Sequence, residues 1–325
     1  MFLQIVLLAT GIYFLIQGAD LLVEASVSLA KKNGISLVIV GAIIVGFGTS
    51  MPEMAVSTMA AGRNDLDLGV GNVIGSVLAN LSLVLGGAAL AGNVPIPISQ
   101  RSTRIYLPLS LNAVFWFCFF IQDGLRRYEG FILLSILIIS LSTIMRVEKG
   151  NPDFLPGEDL DDPPVYRREL GENRQKLENK DAGKAALGFF LILISSWVIT
   201  ESSTGLADKW GIGSGFIGVS LVAVGTSLPE LVASIVAVKK DKPEIIIGTI
   251  LGSNIFNGAA IGATMGIIGP GEVNDTTLIG PLTIVSLSMI VLLWIGKGVS
   301  NKPVGKISGL ILLSIYGLWL LLVGI

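Results

Sequence analysis

Histidine is absent from this 325-residue sequence, which removes the usual pH-switch side chain and the commonest metal ligand. Cysteine occurs once, as Cys118, so no intrachain disulfide and no cysteine-held zinc or iron–sulfur centre can form. Without histidine no Ser/His or Cys/His nucleophile exists, and a carboxylate pair is the only enzyme centre left to consider. Charge is also scarce. Only 14% of residues are charged, whereas a soluble domain carries about a quarter. A formal net charge of −2 argues against a nucleic-acid partner.

What is present is hydrophobic, at 52% of residues. A bilayer core of about 30 Å needs about 20 apolar residues per helix. Apolar runs predict ten spans, at 2–25, 36–61, 68–93, 106–122, 129–146, 184–205, 213–238, 245–270, 278–296 and 306–324. The fold class expected is therefore an all-α integral membrane protein. The first run carries Asp20 and Glu24 near its end with no small-residue cleavage site, so it reads as a span and not a removed leader. With ten alternating spans, all of the 22 basic residues except Arg63, Arg126, Arg127 and Lys209 fall on one face. The positive-inside rule then places both termini outside the cytoplasm of a multi-pass cell-membrane protein.

One long hydrophilic stretch, 147–183, separates two bundles. It contains the acidic run Gly157-Glu158-Asp159-Leu160-Asp161-Asp162, followed by Pro163-Pro164 and a charged stretch from Tyr166 to Lys180 that suits a few helical turns. It reads as a solvated cytoplasmic linker. A regulatory cation site in the acidic run is the alternative.

The flanking bundles are copies of each other. The segment from Gly41 to Met54, with its core Gly48-Thr49-Ser50-Met51-Pro52-Glu53, returns 177 residues later from Gly218 to Leu231 as Gly225-Thr226-Ser227-Leu228-Pro229-Glu230. The same offset relates Glu24 to Glu201, Ser57 to Ser234, Gly75-Ser76 to Gly252-Ser253 and Asn80 to Asn257. Five spans per copy is odd, so the second copy enters from the opposite face. The result is an inverted repeat, 1–146 and 184–325, with a site expected near the midplane where the copies meet.

Glu53 and Glu230 stand near the middle of spans. A carboxylate at that depth costs on the order of 2.5–3.5 kcal/mol on insertion scales, so its presence points to function. Two such charges suit one divalent cation. Pro52 and Pro229 lack N–H groups and should break their helices, freeing carbonyls to line a cavity. Thr49 and Ser50, like Thr226 and Ser227, share a helix face with the glutamates. Ser76 with Asn80, and Ser253 with Asn257, add further oxygens at i and i+4. Hard oxygen ligands suit Ca²⁺ or Na⁺ and disfavour zinc or copper. Gly71, Gly75, Gly248 and Gly252 read as small residues for close helix packing. Glu24 and Glu201 read as interfacial, Asp20 as a snorkelling or pairing residue, and the aromatic run 115–120 with Cys118 as lipid or packing contacts.

On the two Gly-Thr-Ser-x-Pro-Glu segments and their Ser76/Asn80 and Ser253/Asn257 companions, the sequence resembles the cation/calcium antiporter superfamily, and within it is most similar to prokaryotic sodium/calcium exchangers. The resemblance covers nearly the whole chain. It implies ten helices, four central cation sites, and Ca²⁺ bound by Glu53, Glu230 and the carbonyls of Thr49 and Thr226. It also implies Na⁺ bound by these glutamates with Ser50, Ser76, Ser227, Ser253 and the carbonyls of Gly46 and Ala223. Exchange would proceed by the first and sixth helices sliding against the other eight, with no cofactor and no obligate protein partner. Two departures stand out. Some relatives carry an aspartate where Asn257 stands, and Thr249 occupies the place of Asn72. The function expected is Na⁺/Ca²⁺ antiport. Proton/calcium exchange, a passive cation channel and an aspartic-protease-like dyad are the competing readings.

Overall fold

The computed structural model describes residues 2–33, 36–93, 95–149, 181–199, 201–202, 223–274 and 280–323. All regular elements among them are helices; the β-pairing consists of isolated bridges such as Ile96 with Val304 and Leu125 with Gly271. In chain order the helices are α1 (Phe2–Asn33), α2 (Leu37–Thr49), α3 (Met51–Gly62) and α4 (Leu66–Ala91). Next come α5 (Leu107–Phe120), entered through a π-helical turn at Ser102–Tyr106, and α6 (Arg127–Lys149). The second half contains α7 (Asp181–Ile199), α8 (Ala223–Thr226), α9 (Leu228–Lys239) and α10 (Pro243–Ile268). It ends with α11 (Pro281–Val299) and α12 (Lys306–Val323).

Seven of these helices are long and apolar enough to cross a membrane, and α2 with α3, bent by 46° at their junction, makes an eighth. The ten expected spans are thus only partly visible. The apolar part of α12, Lys306–Leu322, is shorter than a full crossing. The expected span 213–238 is described only from Ala223 onward, and residues 150–180 of the expected linker lie outside the described residues.

Burial grades inward. In α4 and α10, 83% and 100% of the spanning residues are buried, against 22–39% in the other long spans. These two helices form the centre. The outer faces of α1, α6, α11 and α12 expose large apolar residues such as Tyr13, Phe131, Leu292 and Leu321, as lipid contact requires. In the aromatic run Phe115 and Phe119 are exposed while Phe117 is buried, so lipid and packing contacts share one helix.

Two backbones meet closely at the centre. A Cβ on Gly248 of α10 would lie 2.3 Å from the Val38 carbonyl oxygen, and one on Gly41 of α2 would lie 2.4 Å from that of Ile245. Only glycine allows this approach, the use expected of small residues between membrane helices.

The sequence repeat is also a repeat of backbone shape. Ser50 and Ser227, where the helices break, have φ/ψ of −85°/4° and −83°/0°. Left-handed residues recur at the same offset, Asn64 (φ 61°) with Asp241 (φ 55°) and Gly124 (φ 83°) with Asn301 (φ 50°). Asn, Asp and Gly are the residues that tolerate this region. The central helices each change pitch in a π-helical stretch, Asn80–Val84 in α4 and Phe256–Ile261 in α10.

α1 and α7 run antiparallel. Gly11 packs on Ser195 and Ile199, Gly18 on Gly188, and Ser28 donates to Asp181 across 2.6 Å. Gly188 and Ser195 are the repeat positions of Gly11 and Gly18, so each contact maps onto the other. At the basic end Lys240 pairs with Asp20 (2.8 Å) and Glu24 (3.8 Å), and Lys184 with Glu24 (3.3 Å). Asp20 is therefore a pairing residue.

Candidate ion site

Each helix break places a glutamate in the first turn of the helix that follows. Glu53 sits in the first turn of α3 and Glu230 in that of α9. Unpaired N–H groups and the helix dipole make this end favourable for a carboxylate. Pro52 and Pro229 occupy the opening turns of the same helices, where a missing N–H costs nothing. The proline-linked break expected from the sequence is thus present in both copies.

Both glutamates are completely buried. Among the described residues no lysine or arginine pairs with either; the ion pairs present join Arg101 with Glu148 and the α1 carboxylates with Lys184 and Lys240. What reaches the glutamates is hydroxyl. Ser50 donates to Glu230 Oε1 at 2.9 Å and Ser227 to Glu53 Oε1 at 3.5 Å, and Ser253 Oγ lies 3.4 Å from the same Glu230 oxygen as an alternative donor. The breaks therefore cross, the serine of each half meeting the glutamate of the other.

The remaining expected ligands lie on the helices around these breaks. Thr49, Thr226, Ser76, Asn80 and Asn257 are all buried polar residues, and Gly46 is buried in α2. Ala223 is the first described residue of α8. Several site oxygens have no hydrogen-bond partner within the protein: Glu53 Oε2, Glu230 Oε2, Ser76 Oγ, Asn80 Oδ1 and Asn257 Oδ1. Buried polar atoms are normally satisfied. The amide nitrogens of Asn254 and Asn257 are unpartnered as well, so the unsatisfied set is mixed, but its two carboxylate oxygens and its amide and hydroxyl oxygens have the donor chemistry of a hard cation site. The Gly46 carbonyl is engaged here, accepting from the Ser253 hydroxyl at 3.1 Å and from the Ser50 N–H at 3.1 Å.

Two buried amides join the site that the expected ligand set omitted. Asn254 accepts from Asn80 Nδ2 at 3.0 Å, linking the central helices. Asn72 donates to Ser57 Oγ at 2.9 Å and to the Glu53 carbonyl at 3.3 Å, and accepts from Thr226 Oγ1 at 3.1 Å. A signal for Asn72 was available, because it precedes Ser76 by four residues and Asn80 by eight on one helix face. Asn254 has no polar repeat partner, since Val77 holds the matching place.

Comparison with known proteins agrees with this geometry. The family model described as sodium/calcium exchanger protein matches residues 3–146 and 182–324. The chain is 30% identical over 320 residues to the putative antiporter CaxA of Alkalimonas amylolytica, covering 97% of each sequence. It is 28% identical over 337 residues to the sodium/calcium exchanger MaX1 of Methanosarcina acetivorans, covering 95% of each. Among solved structures it resembles the sodium-calcium exchanger NCX_Mj soaked with Na⁺ and no Ca²⁺, with a TM-score of 0.76 and 25% identity over 98% of this chain and 97% of that one. Two matched glutamate-bearing breaks in an all-helical membrane chain, and a family match over both halves, make this protein a member of the sodium/calcium exchanger family of membrane antiporters.

Proposed function

We propose that this chain exchanges Na⁺ for Ca²⁺ across the cell membrane at one shared site between its two halves. The observation that carries the reading is the crossed pair Glu53 and Glu230, fully buried, each with one oxygen held by hydroxyls and the other unpartnered. An unpaired ionised carboxylate in a low-dielectric interior is untenable. Two of them facing one site must share a cation or take up protons. Ca²⁺ uses six to eight oxygens at about 2.3–2.6 Å. Glu53, Glu230 and the carbonyls of Thr49 and Thr226 would supply its inner ligands.

Na⁺ would take the same glutamates with Ser50, Ser76, Ser227, Ser253 and the carbonyls of Gly46 and Ala223, with Asn80 and Asn257 lining the site. A site that holds either Ca²⁺ or Na⁺, and opens to one side at a time, enforces exchange by competition. If three Na⁺ move against one Ca²⁺, one net charge crosses per cycle, and 100 mV biases that cycle by about 2.3 kcal/mol.

The architecture proposed with this function has ten spans in two inverted five-helix repeats, 1–146 and 184–325, joined by a cytoplasmic linker at 147–183, with both termini outside the cytoplasm. It is supported by the backbone angles that recur at one offset and by the antiparallel contact of α1 with α7.

Proton/calcium exchange is the second reading, because the absence of a cationic partner for either glutamate among the described residues suits protonation of the empty site as well. Calcium flux into proteoliposomes under separately imposed Na⁺, K⁺ and H⁺ gradients decides between them. The proposal expects uptake driven by Na⁺ alone. Uptake driven by a pH gradient in Na⁺-free buffer, with none under a Na⁺ gradient, would overturn it.

A further inference from the structure

We propose that Asn72, outside the expected ligand set, is a positioning residue that fixes the Glu53 half of the site for Ca²⁺; this rests on the exchange function proposed above. Asn72 is completely buried and uses both of its donors and its acceptor within the protein. Its amide donates to Ser57 Oγ and to the main-chain carbonyl of Glu53, and its oxygen receives the Thr226 hydroxyl from the other half. One side chain thus ties together the two broken turns whose carboxylate and carbonyl converge on the ion.

The choice of partners matters. An amide donating to the Glu53 carboxylate would compete with a cation for it. Asn72 grips the main chain instead, and Glu53 Oε2 stays unpartnered. The turn is held while the charge remains available.

The other half is built differently. Thr249 stands at the repeat position of Asn72, and a hydroxyl with one proton cannot make two donations. Thr249 Oγ1 and Ser234 Oγ are both buried and unpartnered. Thr49, the counterpart of Thr226, turns its hydroxyl back onto the Val45 carbonyl at 2.9 Å. The Glu230 half has the shorter hydroxyl bond to its carboxylate, from Ser50 at 2.9 Å. Both carboxylates keep one oxygen unpartnered, but only the Glu53 turn has its main chain held by a buried amide.

A divalent ion shared by both glutamates depends on the spacing between the halves, and the bond from Thr226 to Asn72 is one of the ties that hold that spacing beside the Glu53 turn. A monovalent ion bound on one side depends on it less. Partners that orient ligands typically contribute about 10–100-fold to metal affinity.

The experiment is equilibrium binding of radiolabelled Ca²⁺ to the purified full-length protein, with displacement by Na⁺, for wild type, Asn72→Ala, Thr226→Val and the double variant. The valine keeps the Thr226 carbonyl and removes its hydroxyl. Each single variant should weaken Ca²⁺ binding about tenfold or more while the Na⁺ requirement moves much less. The double variant should lose less than the product of the two single losses, because both remove the bond from Thr226 to Asn72. In transport, the apparent Ca²⁺ affinity should fall by more than the maximal rate does. If Asn72→Ala does not fold, Asn72→Thr, the residue the second half carries there, takes its place.

Ca²⁺ affinity within about twofold of wild type, equal losses for Na⁺ and Ca²⁺, or losses that multiply in the double variant would overturn the role of Asn72. A wild-type protein that binds no Ca²⁺ would overturn the exchange function itself, and this proposal with it.

Discussion

Ser50 Oγ lies 2.9 Å from Glu230 Oε1, a bond between residues 180 positions apart that fastens the broken turn of one half to the carboxylate of the other. Its repeat counterpart, from Ser227 to Glu53, is longer at 3.5 Å. The two half-sites are related but not equal, and variants should reveal the difference.

Neutralising either carboxylate should end calcium exchange. Glu53→Gln and Glu230→Gln keep the side-chain shape and remove one of the two charges that match a divalent ion. Ca²⁺ flux into proteoliposomes should fall to background in both, with an unchanged elution profile on size exclusion. Wild-type flux in either variant would remove that residue from the site.

The serines should differ. Ser50→Ala removes the shorter bond to a buried carboxylate and should cost about 1.5–3 kcal/mol of stability, the range for hydrogen bonds to charged groups. Ser227→Ala removes the longer bond and should cost less. Thermal unfolding in detergent without added Ca²⁺ reads both, and an equal or reversed order would contradict the crossed geometry.

Crowding the central contact should be costly. A Cβ at Gly248 meets the Val38 carbonyl oxygen at 2.3 Å, so Gly248→Ala must push α2 away from α10. Overpacking of this kind costs about 1–3 kcal/mol or more. A lower thermal midpoint, together with weaker Ca²⁺ binding because α2 carries Thr49, is expected. Gly296→Ala, where an added Cβ meets nothing within 4 Å, serves as the control.

Trp294 Nε1 donates to the Leu81 carbonyl at 3.1 Å, within the π-helical stretch of α4. The wider turn disturbs the regular ladder of the helix, and the indole supplies a donor there. Trp294→Phe should lower stability by about 1–3 kcal/mol, as expected when a buried acceptor is left unsatisfied. No change in the unfolding midpoint would mean that the bond contributes nothing.

Much of this was legible in the sequence because it was written twice. Glu53 and Glu230, their prolines and the serines ahead of them recur at one offset, and the structure brings them together at matched breaks. The π-helical stretches at Asn80–Val84 and Phe256–Ile261 left no signal, because they depend on how α4 and α10 pack and not on any local residue pattern. Asn72 and Asn254 stood in plain view but fell outside the expected ligand set, because their repeat partners are Thr249 and Val77. Reading by repetition overlooks whatever only one copy contains.

The mapped contacts of α1 and α7 bear on how such a chain divides its time. Gly18 meets Gly188 as Ser195 meets Gly11, so under the proposed exchange a shift of this pair toward one face would mirror, contact for contact, a shift toward the other. Two identical copies would favour neither opening. Only residues that differ between them tilt the scale, and Trp197 and Leu7 stand where symmetry would repeat Asp20 and Lys184. The ties of Asp20 with Lys240 and of Glu24 with Lys184 have no ionic counterpart in the other copy, so under the proposed exchange the balance between the two openings would be weighted several turns from the ion.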